Sequence, residues 1–253
     1  MTPDRRILPT AEGAADEAVM LFAESAESAI RDRGRFVVAV AGGSTPRAVY
    51  QRLASEPMAS RIDWSRVDLL WGDERCVAPD QPASNYLMVR TTLLDRVPIP
   101  EARVHRIRGE DRPDEAAERY ELELRTLLGK ATGPPSIEHV GRIDLVLLGL
   151  GVDGHTASLF PGGDWARDTT SWVRAEYHEA SSTWRVSLTP LIIDAARRVV
   201  FLVVGRDKAG IVKQVLDSPP RRTPLPAQVI APVDSRVCWI LDAAAGSEIE
   251  TRE

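Results

Sequence analysis

The 253-residue chain is 43% hydrophobic and 27% charged, the balance of a soluble globular protein long enough to bury a large core. Its net charge of -5 argues against a nucleic-acid binder, which would show a basic patch, yet leaves room for a small anion held by local arginines. Cys76 and Cys238 offer neither a disulfide framework nor metal-ligand spacing, the N-terminal MTPDRRILPT lacks the apolar stretch of a signal peptide, and no apolar run reaches membrane-spanning length. A soluble, cytoplasmic protein is expected, and its only lysines, Lys130, Lys208 and Lys213, leave few candidates for Schiff-base chemistry.

Apolar and alanine positions recur at helical spacing from Thr10 to about Arg33, through Ala15, Val19, Phe22, Ala26 and Ile30. Thr10 is a candidate N-cap and Gly34 a C-terminal stop, so this is a packing helix without assigned chemistry. Residues 36–41, FVVAVA, read as a buried strand that runs into Gly42-Gly43-Ser44-Thr45-Pro46 and a helix over 47–54. Glycines after a strand and hydroxyls before a helix gather backbone N–H groups at a positive helix end, where anions bind. The pattern is neither a Walker A loop nor a GxGxxG fingerprint, so no nucleotide is implied. Simple capping by Ser44 or Thr45, with Pro46 at the first helical position, also accounts for it.

Residues 67–71 form the next strand, which ends in Gly72-Asp73-Glu74-Arg75. Charged groups at the exit of a buried strand must be solvated, paired or turned to a ligand. A polar loop over 80–85 precedes a helix over 86–94, with Ser84 placed to cap it and Asn85 to face the same cleft. A breaker at 97–100, a short strand at 104–107 and an amphipathic helix over 113–129 follow, with acids early and Arg125 late as the helix dipole favours. Residues 130–141 read as a linker loop in which His139 is solvated.

Residues 144–162 read DLVLLGLGVDGHTASLFPG. The short apolar run at their start, bounded by charge and by glycine, reads as a strand buried on both faces of a parallel sheet. The chain then turns through Gly149, Gly151 and Gly154 and presents Asp153 and His155. An acid and an imidazole at the carboxyl end of such a strand can share proton transfer. The turn alone is also consistent with a strand-to-helix connection in which Asp153 caps a helix and His155 is an ordinary loop residue.

Residues 173–177 and 183–188 alternate polar and apolar positions, the pattern of half-exposed antiparallel strands, with Arg185 in the second. A short helix over 190–196, a buried strand over 199–204 and a helix over about 207–216 come next. Lys208 falls in the first turn of that helix, where it opposes the dipole unless an anion is nearby. Arg221 and Arg222 sit in a proline-rich loop read as solvated, residues 237–241 form a last strand, and the tail after Gly246 is expected to fray. The alternation of strands and helices specifies an α/β fold with a doubly wound, mostly parallel sheet flanked by helices. It is expected to be one domain over 1–253 with a small antiparallel subregion near 170–190.

Four stretches carry a family resemblance: AGGSTP at 41–46, WGDER at 71–75, SNY at 84–86 and GLGVDGHTASLFPG at 149–162. RVSLTP at 185–190, GRDKA at 205–209 and the Pro-Ala pair at Pro226 extend it. In this order and spacing the chain resembles the 6-phosphogluconolactonases from about residue 36 to residue 242. The resemblance implies a fold shared with glucosamine-6-phosphate isomerase/deaminase and related to ribose-5-phosphate isomerase. It implies hydrolysis of 6-phospho-D-glucono-1,5-lactone in the oxidative pentose phosphate pathway, with no metal and no organic cofactor. The implied partner is a small sugar-phosphate lactone, with no nucleic acid and no membrane, and a monomer or weak homo-oligomer is expected.

Carried onto this chain, the resemblance makes His155 the general base for water and Asp153 the group that orients His155 or the sugar. Gly42, Gly43, Ser44 and Thr45 would cradle the 6-phosphate, with Gly154 on the substrate side. Lys208 with Arg75 or Arg185 would supply cationic contacts, one arginine alternatively serving the oxyanion. Asp73 and Asn85 would touch ring hydroxyls or hold Arg75. The sister isomerase/deaminase activity needs a further carboxylate soon after the histidine, and 156–162 contain no acid, with Asp164 beyond a Pro-Gly-Gly turn. A non-catalytic sugar-phosphate sensor would have no use for both Asp153 and His155.

Overall fold

The computed structural model describes residues 4–129, 141–168, 170–219, 223–232 and 237–250. Most of the expected linker with His139, and Arg221 and Arg222, lie outside the described residues. Strands β2 (Phe36–Val40), β3 (Val67–Trp71), β6 (Leu145–Leu148) and β9 (Val199–Val203) are buried at every position, as near-continuous apolar runs require. They occupy the middle of a seven-stranded sheet whose order is β1-β10-β9-β6-β2-β3-β5, where β1 is Asp4–Leu8, β5 is Val104–His105 and β10 is Val237–Asp242. All of its pairings are parallel.

The sequence reading does not anticipate β1, whose DRRIL carries charge at three of its positions. An edge strand tolerates such residues because one side of it meets solvent. Helix α1 (Ala11–Arg33) is capped as its sequence predicts, with Thr10 Oγ1 accepting from Gly13 N at 3.1 Å and Gly34 left-handed at φ 77°. Its inward face is mostly alanine, so the helix lies close against the sheet. The tail does not fray at once after Gly246, since Glu250 N–H donates to Asp217 Oδ2 at 2.8 Å.

A second sheet, β4-β8-β7, is antiparallel, with β4 at Asp73–Arg75, β7 at Val173–His178 and β8 at Thr183–Leu188. It pairs β7 with β8 and adds a third strand, because the charged Asp73-Glu74-Arg75 pairs with β8. Gly72 joins the two sheets: its N–H donates to Val40 O at 2.8 Å, and its carbonyl accepts from Leu188 N at 2.9 Å. Helix α5 (Pro113–Leu128) packs on β7 and β8.

The strand order reverses between β2 and β6, the position where open α/β sheets form a crevice outside their carboxyl ends. Two buried tyrosines pin the strands beside it. Tyr50 OH accepts from Ala41 N and donates to Ala41 O, at 2.9 and 2.8 Å. Tyr120 OH does the same for Trp71 N and O, at 2.9 and 3.0 Å. Each hydroxyl satisfies both backbone groups of a residue at the end of a strand, where the ladder stops. Among the described residues, no helix is long and apolar enough to cross a membrane.

Candidate active site

A cavity of about 370 Å³ opens at this switch point. Of the sequence-predicted site residues, Gly42, Gly43, Ser44, Thr45, Asp73, Arg75, Asn85, His155, Arg185 and Lys208 line it. Asp153 and Gly154 do not.

Helix α2 (Ser44–Leu53) starts three residues earlier than its sequence suggests. Gly43, at φ 106° and ψ 173°, stands at the N-cap and makes no side-chain cap, so neither Ser44 nor Thr45 caps the helix. That backbone geometry is open to glycine and costly for other residues. Ser44 and Thr45 line the cavity, and as first-turn residues their N–H groups have no intrahelical partners. Gly42 has a separate reason to be glycine: a Cβ there would stand 1.9 Å from Asn85 Oδ1.

Asp73 and Glu74 are both buried, and each is bound differently. Asp73 Oδ2 accepts from Ser158 Oγ at 2.7 Å, while Asn85 Nδ2 donates to the Asp73 carbonyl at 2.9 Å. Glu74 accepts from the backbone N–H groups of Arg75, Asn85 and Tyr86 and from Ser84 Oγ, at 2.7–3.0 Å. It ties β4 to the N-terminus of α4 (Asn85–Thr92), where a carboxylate also meets the helix dipole. Burial pushes the Glu74 carboxyl up, against the pull of those N–H donors. Arg75 donates Nη1 to Ala83 O at 2.6 Å, and Arg185, its register partner on β8, donates Nη2 to Ser181 Oγ at 3.2 Å.

No helix follows β6. The chain closes a tight turn in which Gly151 N donates to His155 O at 2.8 Å and Gly154 N to Gly151 O at 3.0 Å. Thr156 Oγ1 ties the turn to Gly149 O at 2.9 Å, and the next residue, Ala157, is held at φ 48° on the cavity wall. Within the turn His155 Nδ1 lies 2.6 Å from Asp153 Oδ1. Hydrogen bonding to the carboxylate places the ring proton on Nδ1 and leaves the Nε2 lone pair available. Partial burial raises the Asp153 carboxyl, but the neighbouring His155 outweighs it and holds the group below its usual range.

Gly154 supports this turn from behind, at φ 86°, with Leu225 against its α-carbon and its carbonyl accepting from Ala227 N at 3.2 Å. It shapes the turn through its backbone and is not among the residues that line the cavity. Lys208 ends a 3-10 turn, Arg206–Lys208, and occupies the N-cap of α7 (Ala209–Leu216), so it stands just outside the helix and not in its first turn. Gly205 carries this loop at φ 103°, with its N–H donating to the Asp242 carboxylate.

Sequence reasoning misses His178, Phe160 and Ser158, all of which line the cavity. Only the Asp73 contact gives Ser158 a role, and that contact spans 85 positions of sequence. Asp164 lies outside the cavity wall, three-quarters exposed and paired with Arg167 at 3.6 Å. Among the described residues, no group of three or more His, Cys, Asp or Glu is placed to hold a metal ion.

Residues 9–239 match the model of the glucosamine-6-phosphate isomerase/6-phosphogluconolactonase family. The chain belongs to this family. It is 38% identical to a 6-phosphogluconolactonase of Haemophilus influenzae over 82% of this chain and 85% of that one. It is 35% identical to the 6-phosphogluconolactonase of a Nostoc species over 96% and 97% of the two chains. The solved structure of 6-phosphogluconolactonase from Trypanosoma brucei superposes with a TM-score of 0.85 at 27% identity, covering 98% of this chain and 99% of that one. These relatives place the chain on the lactonase side of the family, with a fold common to both activities.

Proposed function

We propose that this chain hydrolyses 6-phospho-D-glucono-1,5-lactone to 6-phospho-D-gluconate, as a cytoplasmic enzyme of the oxidative pentose phosphate pathway. The observation that carries the reading is the Asp153-oriented imidazole of His155 on the wall of a cavity that also holds Lys208, Arg75 and Arg185. Family kinship with named lactonases supports it.

In this reading the 6-phosphate sits against the N–H groups of Ser44 and Thr45 at the start of α2 and against Lys208. His155 Nε2 takes a proton from water as the water oxygen bonds to the lactone carbonyl carbon. The charge passes to the carbonyl oxygen, which a guanidinium of the Arg75/Arg185 pair faces as the oxyanion. The tetrahedral intermediate collapses by breaking the ring C–O bond, and the leaving ring oxygen recovers the proton from His155. Asp153 keeps the imidazole in one tautomer and stabilises its protonated form. Asp73, buried and braced by Ser158 and Asn85, faces the sugar hydroxyls.

The test is hydrolysis of freshly generated 6-phosphogluconolactone, followed against its spontaneous decay, with His155→Ala as the control. Acceleration that the substitution abolishes, at unchanged folding stability, is the expected result. A variant that lost stability but kept its rate per folded molecule would remove His155 from the role of base. Turnover of glucosamine 6-phosphate instead would move the chain to the isomerase side of the family.

A further inference from the structure

The cavity holds a second imidazole. His178 ends β7, lines the same wall as His155 and stacks on Phe160, with ring centroids 4.0 Å apart and planes at 17°. Phe160 in turn meets the His155 ring, centroids 5.0 Å apart. The aromatic contacts set the plane of His178, and a polar chain sets its protons. Arg185 Nη2 donates to Ser181 Oγ at 3.2 Å, and Ser181 Oγ lies 2.7 Å from His178 Nδ1.

A guanidinium can only donate, so the serine oxygen accepts from Arg185, and its second lone pair and its own hydrogen let it meet Nδ1 in either direction. The tautomer assigned to the neutral ring has the serine hydrogen on Nδ1 and the ring proton on Nε2, where it faces the cavity. Burial first, then Arg185 and the neighbouring His155, keep His178 below the ordinary imidazole range, with Asp153 pulling the other way. Nε2 makes no hydrogen bond among the described residues, so its N–H is a spare donor. It is not alone: Arg75 and Arg185 each commit one guanidinium nitrogen to a protein acceptor and pair with no carboxylate among the described residues. These three groups with donors to spare match a phosphate, which offers lone pairs on every oxygen, better than a hydroxyl, which needs an acceptor such as Asp73.

We propose that His178 is a substrate-specificity residue of this cavity, donating from Nε2 to a phosphate oxygen beside Arg185, with Ser181 holding its tautomer and Phe160 its plane. The identity of the substrate rests on the lactonase reading, whereas the phosphate contact does not. Binding is therefore measured apart from turnover, by calorimetric titration of 6-phosphogluconate and of inorganic phosphate into the full chain. His178→Phe keeps a ring against Phe160 and removes the donor, His178→Gln returns an N–H without the ring, and Ser181→Ala frees the tautomer.

His178→Phe is expected to weaken 6-phosphogluconate binding, and to raise KM for the phosphorylated lactone, by about tenfold, the scale of one hydrogen bond to a charged group. The change on glucono-1,5-lactone without phosphate stays under about threefold, a hydrogen bond's difference between the two substrates. His178→Gln recovers part of the loss, and Ser181→Ala loses less than His178→Phe. An equal loss on both lactones, an effect confined to kcat, or unchanged affinity in His178→Phe would each overturn the proposal. Should His178→Phe not fold, Ser181→Ala decides alone, since an unchanged preference for the phosphorylated ligand there also overturns it. A wild-type chain that binds 6-phosphogluconate without hydrolysing the lactone would end the lactonase reading and leave this comparison standing.

Discussion

Arg75 and Arg185 face each other as register partners across β4 and β8, and neither has a carboxylate partner among the described residues. Like charges directly opposite in an antiparallel pair are destabilising. Burial and the nearby Arg75 lower the Arg185 pKa, the direction that such crowding produces. The arrangement is explained if an anion supplies the missing charge, so the pair costs stability in the free protein and repays it on binding.

Arg185→Met, which keeps the aliphatic stem, is expected to stabilise the unliganded chain by about 0.5–1 kcal/mol. The same variant should bind 6-phosphogluconate roughly tenfold or more weakly, the loss of a charge-assisted contact. Thermal unfolding with and without ligand reads both effects. A lowered unfolding midpoint in the free variant would show that the pair is structural.

In the proposed mechanism Asp153 acts through His155, and its replacement should expose that. Asp153→Asn leaves a similar shape, but the amide can present its N–H₂ to Nδ1 and so favour the wrong tautomer. We expect kcat to fall by about 10²-fold or more, the contribution of a positioned general base. The unfolding midpoint at neutral pH should move little, because the side chain is nearly half exposed. Because the folded Asp153 pKa is lowered, its stabilising effect is present above the ordinary carboxylate range, about pH 4, and is lost as pH falls through the lower folded value. Rate profiles from pH 5 upward should therefore carry no limb from Asp153; a carboxylate limb in that range would contradict the assignment.

Much of this site is readable before any coordinates because its parts are local. Apolar runs of four to six residues ending in glycine give β2 and β6, and the residues after them reach the cavity because strand ends at a switch point must. Thr10, Ser84 and Gly34 mark helix ends by short-range chemistry and do so here. The misreadings are of two kinds. Local ones arise where glycine competes with a hydroxyl for the cap, which shifts the start of α2 to Ser44 and removes the capping alternative for Ser44 and Thr45. Nonlocal ones arise where the partner is distant: the charged segment 73–75 becomes a strand only because β8 lies alongside it, and β1 only because β10 does. His178 follows a strand of ordinary alternation, and nothing within five residues of it foretells Phe160 or Arg185 as neighbours.

Gly151 tests how closely the turn is built around the Asp153–His155 pair. A Cβ at this position would lie 2.0 Å from His155 Nδ1 and 2.6 Å from Asp153 Oδ1, closer than side chains tolerate. The backbone itself is not left-handed there, so Gly151→Ala is a steric change and not a backbone one. We expect the imidazole to be displaced by about an ångström and kcat to fall by roughly 10²-fold. Affinity for 6-phosphogluconate should fall much less, since the α2 N–H groups and Lys208 lie on other elements. If calorimetry showed affinity and kcat falling together, the turn would be holding the phosphate site as well.

On the edge strand β5, outside the cavity lining, His105 is wedged between two acids: Nδ1 is 2.7 Å from Glu123 Oε1 and Nε2 is 3.4 Å from Asp68 Oδ1. Burial alone would lower this imidazole, yet hydrogen bonds to Asp68 and Glu123 raise it to about 9. Asp68 is buried within the strand and also meets Arg103 at 2.9 Å; despite the opposing cost of burial, His105 and Arg103 hold its carboxyl low. A raised histidine stabilises the fold fully below its unfolded value, near 6.5, and that contribution disappears as pH rises through about 9. Urea unfolding should therefore show the wild type losing stability between neutral pH and about pH 10, by an amount on the order of 1 kcal/mol. His105→Gln should be less stable at pH 7 and nearly insensitive over the same range, so the two curves converge at the alkaline end. Parallel curves would mean that the alkaline loss belongs to other groups, and that His105 is neutral between its two acids.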